Sequence, residues 1–140
     1  MPDPDQTYLL DRQVGYLMRR ANQRHLALFA QGIPELTPTQ FAALARLCQS
    51  GQASQNALGR ATSMDAATIK GVIDRLRRKG YVAATPDPGD NRRILLEPTP
   101  EGRAAFDRLA PLAHGITAAT LAPLSPAERK AFLDLLERLC

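Results

Sequence analysis

The sequence predicts a mainly α-helical protein that carries one small β wing of two or three strands. Hydrophobic residues form 44% of the 140 residues, aromatic residues form only 5%, and Trp is absent. Because most of the apolar residues are Leu and Ala, this composition favours helices packed on helices within one domain. Apolar residues recur at helical spacing along most of the chain. Only the segment PDPGDN, residues 86–91, separates two short strand-like runs.

The N-terminal part of the chain predicts two helices. The first covers about residues 7–31, after a Pro/Asp-rich start that we expect to fray, and a Gly-Ile-Pro segment ends it. The second begins at Thr37, an N-cap with Pro38 at the first helical position and Gln40 placed for a capping box. It stops near Gly51. The apolar positions of the first helix are Leu10, Val14, Leu17, Met18, Ala21, Leu28 and Phe29.

Two shorter helices follow, joined by the turn TSMD. Ser54 caps the first of them, and either Asp65 or Ser63 caps the second, which runs to about Lys79. Gly80 is placed to terminate that helix. Its apolar positions are spaced i, i+3, i+4 and i+7, which predicts one buried stripe on an amphipathic helix. These positions are Ile69, Val72, Ile73 and Leu76.

The C-terminal half predicts a β-hairpin and then two helices. The strands are expected at residues 81–85 and 93–97. Thr99 caps a helix with Pro100 at its first position, running to about residue 121, and Ser125 caps the last helix. The final helix has an apolar face formed by Leu124, Phe132, Leu135, Leu136 and Leu139.

Positive charge is concentrated in residues 70–93. This segment contains seven bases and three acids, a surplus equal to the formal net charge of +4. Such a local surplus is typical of a phosphate-binding surface, although a solvated helix face would give the same pattern. The bases are Lys70, Arg75, Arg77, Arg78, Lys79, Arg92 and Arg93.

The order helix, turn, helix and hairpin predicts a winged helix-turn-helix that reads DNA. Thr68 and Lys70 lie early on the exposed face of the second helix, where they can reach base edges, whereas Arg75 and Arg78 are better placed for phosphates. At the wing tip, Asp90 can orient Arg92 toward a minor groove. The remaining candidate DNA-contacting residues are Ser54, Gln55, Asn56, Ala66, Ala67, Gly71 and Arg93. An ordinary amphipathic helix beside an ordinary turn is the alternative.

Several other functions find little support in the sequence. Cys48 and Cys140 do not have the spacing of a metal or disulfide motif, so no cofactor or metal is expected. We recognise no nucleophile–base pair and no phosphate loop, so we do not expect an enzyme. The start MPDPDQTY does not resemble a signal region, and no apolar run approaches a membrane span, which favours a cytoplasmic protein.

Four segments resemble motifs of the MarR (multiple antibiotic resistance regulator) family of bacterial transcription regulators. LTPTQFAAL at 36–44, DRLRRKGYV at 74–82 and LEPTPEG at 96–102 are similar to family motifs, and Asp87, Asp90 and Arg92 match its wing pattern D-x-x-D-x-R. The sequence also departs from the family pattern at two places, which reduces the number of expected phosphate contacts. Ala83 and Ala84 stand where the family often has Arg or Glu-Arg, and Gly89 and Asn91 stand where the wing often has another base.

The resemblance implies a particular organisation and function. Residues 1–35 and 99–140 would form dimerisation helices around a winged helix-turn-helix at 36–98. The homodimer would bind double-stranded DNA at a pseudo-palindromic operator, usually as a repressor, and a small effector would release it. A winged helix that binds only proteins is the alternative. Peroxide sensing is not expected, because no cysteine lies near the start of the first helix.

A small aromatic carboxylate is our hypothesis for the effector. Cations beside aromatic or apolar walls suit such a ligand, and the candidate residues are Tyr16, Arg19, Arg20, His25 and Phe41. Each has an ordinary alternative. The two arginines could lie on the surface or form dimer ion pairs, His25 could be solvated, and Tyr16 and Phe41 could be core residues.

Overall fold

A computed structural model of the protein describes residues 7–140. Six helices and one three-stranded sheet form a winged helix-turn-helix flanked by longer helices. After a 3₁₀ turn at Leu10–Arg12, the elements are α1 Val14–Gly32, α2 Pro38–Ser50, β1 Ala53–Ser54, α3 Gln55–Ala61, α4 Ala66–Arg78, β2 Val82–Asp87, β3 Asp90–Pro98, α5 Pro100–Thr120 and α6 Pro126–Glu137.

The first helix is shorter than the sequence predicted. The prediction of one helix over residues 7–31 is wrong at its start, because Gln13 has extended backbone with φ −85° and ψ 135° and separates the 3₁₀ turn from α1. The Gln13 side-chain amide donates to the Leu9 carbonyl at 2.9 Å, which holds the chain in this break. The fraying expected for residues 1–6 lies outside the described residues.

The predicted helix caps are confirmed. Thr37 forms the full capping box with Gln40, and Ser54, Thr99 and Ser125 each accept a hydrogen bond from a backbone N–H of the first turn. Of the two candidates for α4, Asp65 is the cap, since its Oδ1 accepts from the Thr68 N–H at 2.7 Å. These caps fix where each helix of the winged helix-turn-helix begins.

The wing is longer than predicted. Its strands pair antiparallel in the order β1-β3-β2 and continue until Asp87 lies opposite Asp90, so only Pro88 and Gly89 form the turn. The Asp87 carboxylate accepts from the Gly89 N–H at 2.9 Å and closes this tight turn, which lets the ladder extend into the PDPGDN segment. Ala53 pairs with Leu96 and adds β1 as the third strand.

The core lies between α2, α3, α4 and α5 and extends to the end of α1, where Phe29 and Ile33 are buried. The predicted stripe of α4 is buried, with Ile69, Val72, Ile73 and Leu76 between 0% and 7% exposed. This burial fixes which face of α4 remains in solvent. The core continues through residues of the neighbouring elements, including Leu44, Leu47, Leu58, Leu96 and Leu109.

The outer helices keep large apolar surfaces in solvent. A groove of about 650 Å³ runs between the start of α1 and α6, and most of its lining is aliphatic. Exposed apolar residues at the two ends of the chain include Leu10, Val14, Leu17, Met18, Phe132, Leu135 and Leu139. Within residues 7–140, no helix combines the length and hydropathy needed to cross a membrane.

Candidate nucleic-acid interface

Helix α4 presents a polar face with small residues at its first turn. Ala66, Ala67 and Thr68 are exposed there, and a Cβ added at Gly71 would meet nothing within 4 Å. The buried stripe on the other side prevents the helix from rotating, so this face stays outward. The face therefore combines room for close approach to base edges with polar groups that can contact them.

Lys70 is already paired in the free protein. Its Nζ lies 3.1 Å from Asp74 Oδ2, one helical turn away, and the two side chains are 69% and 41% exposed. Exposed ion pairs of this kind are weak, about 0.3–0.5 kcal/mol. Lys70 can therefore exchange Asp74 for a guanine acceptor at little cost, while Arg75 and Arg78 continue the basic face toward the end of α4.

The wing arginine lies beside Asp90, whose hydrogen bond goes to the Arg92 backbone and not to the guanidinium. Asp90 Oδ1 accepts from the Arg92 N–H at 3.0 Å and lies 3.6 Å from Arg92 Nε. The Arg92 side chain is nonetheless 95% exposed. The aspartate thus biases the direction of the guanidinium without covering it, which suits insertion into a narrow minor groove.

A groove of about 540 Å³ separates α3 from the wing. Arg60 is the residue in it that the sequence reasoning missed. It lies on α3 one turn after Asn56, and this i, i+4 spacing was the available signal. The groove brings together several predicted DNA-contacting residues, and its lining is Ser54, Gln55, Asn56, Arg60, Arg92, Arg93 and Ile94.

The candidate effector residues fall into two places. Near the start of α1, the Arg20 guanidinium stacks 5.8 Å from the Tyr16 ring centroid, and Arg19 is exposed. His25 lies nine residues beyond Tyr16, roughly 13 Å along the helix axis. It joins an aromatic row with centroid separations of 6.5, 6.1 and 6.0 Å, whose members are His25, Phe29, Phe41 and Phe106.

His25 also connects α1 to the end of α5. Its Nδ1 lies 2.9 Å from Thr120 Oγ1, and that hydroxyl already donates to the Ile116 carbonyl at 2.8 Å. Because the hydroxyl proton is used, His25 Nδ1 donates, which leaves Nε2 as the acceptor of the neutral ring. His25 borders a cavity of about 390 Å³ between α1, α5 and α6. Within one subunit, Tyr16, Arg19 and Arg20 do not join this cavity.

The two cysteines differ in their surroundings. Cys48 is half-buried against the core, and burial raises the pKa of its thiol, which disfavours the reactive thiolate. Cys140 is exposed, and its Sγ contacts the Leu136 carbonyl oxygen.

The exposed basic helix α4, the exposed wing arginine and the groove between α3 and the wing are the features of a DNA-binding winged-helix transcriptional regulator. Comparison with known proteins assigns the family. The MarR family model matches residues 36–94. The transcriptional repressor NicR of Pseudomonas putida is 41% identical over 134 residues, which cover 94% of this chain and 85% of NicR. The chain belongs to the MarR family and is not an enzyme.

Two solved structures show the same fold over nearly the whole chain. A probable transcriptional regulator from Pseudomonas aeruginosa is 50% identical, with a TM-score of 0.92 over 94% of this chain and 100% of that one. BpsR of Bordetella bronchiseptica is 43% identical, also with a TM-score of 0.92, over 96% of this chain and 97% of BpsR. The DNA binding of BpsR is regulated by 6-hydroxynicotinic acid.

Proposed function

We propose that this protein is a repressor that binds a pseudo-palindromic operator as a homodimer and releases it when a small aromatic acid binds. The observation that carries this proposal is the exposed face of α4 beside a wing whose exposed Arg92 lies next to Asp90. Similarity to the repressor NicR supports the direction of regulation.

The terminal helices support a homodimer. Leu10, Val14, Leu135 and Leu139 are each more than half exposed in the single chain, and they cluster at the ends of the sequence. Apolar area of this extent is stabilised by burial against a second copy, at about 25 cal/mol per Å². A two-fold axis there would place two α4 helices on half-sites about one turn of DNA apart.

Each DNA-facing residue has a proposed role. Thr68 and Lys70 contact base edges in the major groove, with Ala66, Ala67 and Gly71 allowing close approach. Arg75 and Arg78 bind phosphates beside the groove. In the neighbouring minor groove Arg92 is the probe, and the residues expected to bind the intervening backbone are Ser54, Gln55, Asn56, Arg60 and Arg93.

The aromatic row is the proposed centre of the effector site. His25 and Phe41 offer one hydrogen-bonding ring and one apolar wall, at the junction between α1, α2 and α5. The cations for a carboxylate are Arg19 and Arg20, with Tyr16 beside Arg20, and a second copy of α1 could bring them to the row. The regulation of BpsR by an aromatic acid supports this ligand class.

The first experiment is DNA binding at several salt concentrations. Duplex DNA from upstream of the protein's own gene should bind, with affinity that falls steeply as salt rises because counterions are released. Arg92→Ala should weaken binding and lower the salt slope by about 1. Arg46→Ala removes an exposed arginine of α2 outside the groove and should change neither. An absence of binding at low salt would favour the protein-interaction alternative.

The second experiment tests the effector. Single-ring aromatic acids, including 6-hydroxynicotinic acid and benzoic acid, are screened for a rise in melting temperature and then for operator release. His25→Ala should keep operator affinity and lose the response to an active acid. If only large cationic compounds release the DNA, the proposed ligand class is wrong.

A further inference from the structure

One carboxylate joins three segments of the chain. Glu35 lies in the loop between α1 and α2. The Tyr81 hydroxyl donates to Glu35 Oε2 at 3.1 Å, and Arg108 of α5 donates to both carboxylate oxygens, with Nη2 3.3 Å from Oε2. Tyr81 lies three residues after Arg78, the last residue of α4, so Glu35 links the end of α4 to α5.

The ionisation of the group favours these contacts. The Arg108 guanidinium lowers the pKa of Glu35, against an opposing effect of burial, so the carboxylate is ionised at neutral pH. Burial and the neighbouring Glu35 raise the pKa of Tyr81, so its hydroxyl remains a donor. Both hydrogen-bond sets are therefore charge-assisted, and the Arg108 contact is bidentate, which adds geometric definition.

A backbone contact joins the same two elements nearby. Thr99 Oγ1 donates to the Gly80 carbonyl at 2.6 Å, and the Thr99 N–H donates to the Tyr81 carbonyl at 3.0 Å. A Cβ at Gly102 would lie 2.0 Å from the Tyr81 carbonyl oxygen, so only glycine permits this approach. The first turn of α5 is thus fastened to the residues that end α4.

The Thr99–Gly80 contact and the Glu35–Arg108 contact together define the angle between α5 and the lobe of residues 36–98. Arg108 lies six residues beyond Gly102, about 9 Å further along α5. Ala105 and Leu109 of α5 pack in the same core, but apolar contacts are non-directional and define the angle between α5 and the lobe of residues 36–98 less strictly than a bidentate hydrogen bond does. The Glu35 contact supplies another point on the same helix. Close to it, a cavity of about 480 Å³ separates the α1–α2 loop from Arg75 and Lys79 of α4, so direct packing does not fill that space.

We propose that Glu35 is a positioning residue for operator recognition. By holding Tyr81 and Arg108 together, it fixes the lobe of residues 36–98 at one angle to α5 and so sets the separation of the two α4 helices in the dimer. This inference rests on the proposed homodimer and operator. It adds that the separation of the two α4 helices is held by a side chain that contacts neither the DNA nor the effector.

The test measures how strongly each variant distinguishes operator spacings. The probes are a palindrome that the wild-type protein selects from random duplex DNA, and the same palindrome with one base pair inserted at its centre. The insertion moves one half-site by about 3.4 Å and rotates it, so a dimer of fixed geometry must lose contacts. Wild type should bind the inserted palindrome at least about 10-fold more weakly, as expected for one misplaced set of base contacts.

Glu35→Ala should reduce that ratio to below about 3-fold, mainly by weakening the uninserted complex. Tyr81→Phe removes one hydroxyl and keeps the ring, and should give an intermediate ratio. Asp107→Ala removes a neighbouring acid on α5 and should keep the wild-type ratio. The salt slope should stay unchanged in all three variants, because no phosphate contact is removed.

Two results would overturn the inference. One is a wild-type ratio in Glu35→Ala with unchanged melting temperature. The other is equal weakening on both palindromes together with a lower melting temperature, which would show a purely structural role. If the wild-type protein selects no palindrome, the proposed function fails instead, and a measurement without DNA then decides the role of Glu35.

That measurement is the distance between spin labels on the two α4 helices of the dimer. The labelled chain carries Gly71→Cys in a Cys48→Ala, Cys140→Ser background, since a side chain at Gly71 meets nothing within 4 Å. Glu35→Ala should widen the distance distribution of the dimer at least about twofold, the expected sign of a lost restraint. Equal widths, or a monomeric protein, would contradict the inference.

Discussion

The lobe of residues 36–98 and the flanking helices use apolar residues in opposite ways. In α4 the stripe of Ile69, Val72, Ile73 and Leu76 is almost fully buried within the chain. By contrast, Leu135 of α6 and Leu139 just beyond its end are 57% and 71% exposed, although their spacing in sequence is just as regular. Periodicity therefore predicts which face of a helix is apolar, and not whether the same chain covers it.

The difference divides the two tasks of the protein between the two regions. The caps, the buried stripe and the wing of the lobe are satisfied within one subunit, and Ala105 and Leu109 of α5 complete its core. The flanking helices leave apolar faces in solvent, which the proposed homodimer would cover. In the proposed function, reading DNA depends on the first region, and the relative placement of the two α4 helices depends on the second.

Truncating a buried residue of the lobe is the largest expected effect. Leu76→Ala removes a side chain that is 0% exposed in the last turn of α4. It should lower the free energy of unfolding by about 2–5 kcal/mol, through lost burial and the cavity left behind. Urea denaturation followed by circular dichroism measures this. Ile94→Ala, at an exposed wing position, should change it by less than about 0.5 kcal/mol.

A charge on the terminal face should separate the dimer while the lobe stays folded. Leu135→Asp places a carboxylate in the apolar groove between α1 and α6. We expect at least about a 100-fold weaker dimer, since an unpaired charge would be buried at the interface. Analytical ultracentrifugation gives the dissociation constant. Ile94→Asp is the matched control on the wing, and equal weakening by both variants would contradict the assignment of the dimer surface.

The same contrast explains what the sequence could and could not predict. The caps at Thr37, Ser54 and Ser125 depend on neighbours within one turn, so local sequence was sufficient. The contact between Asp90 and Arg92 was also predictable, because Arg92 is only two positions after Asp90 and Asp90 accepts from the Arg92 backbone N–H. Contacts of these kinds depend only on residues close together in sequence, so the sequence alone predicts them.

Long-range partners were not predictable for the opposite reason. Glu35 meets Tyr81 across 46 residues and Arg108 across 73, and no pattern near any of the three indicates the others. Arg60 reaches its groove only after α3 packs beside the wing. The break at Gln13 was missed because the apolar spacing continues through it, while a side-chain hydrogen bond decides the backbone.

Two substitutions on α4 should separate reading of bases from binding of phosphates. Lys70→Ala should cost about 1–3 kcal/mol on the best operator and relax base preference at particular positions. Arg78→Ala should weaken all sequences alike and reduce the salt slope by about 1. Binding-site selection at two salt concentrations distinguishes the outcomes. Sequence preference unchanged in Lys70→Ala would remove that residue from the base-reading set.

The smallest expected effect is the pH dependence of the Glu35 contacts with Tyr81 and Arg108. The folded-state pKa of Glu35 lies below its ordinary value of 4.5, with the Arg108 hydrogen bond as the main cause. Its stabilisation is therefore fully present above that ordinary value and is lost as pH falls through the lower folded value. Glu35→Gln has no such titration, so the stability difference between wild type and variant should shrink between about pH 5 and pH 3. Urea unfolding across that range measures the stability difference, and a difference that widens on acidification would contradict the expected sign.

The control is Asp107→Asn, which changes the acid beside Arg108 on α5. It should leave the wild-type pH profile in place, because only the loss of the Glu35 charge removes the partner of Arg108.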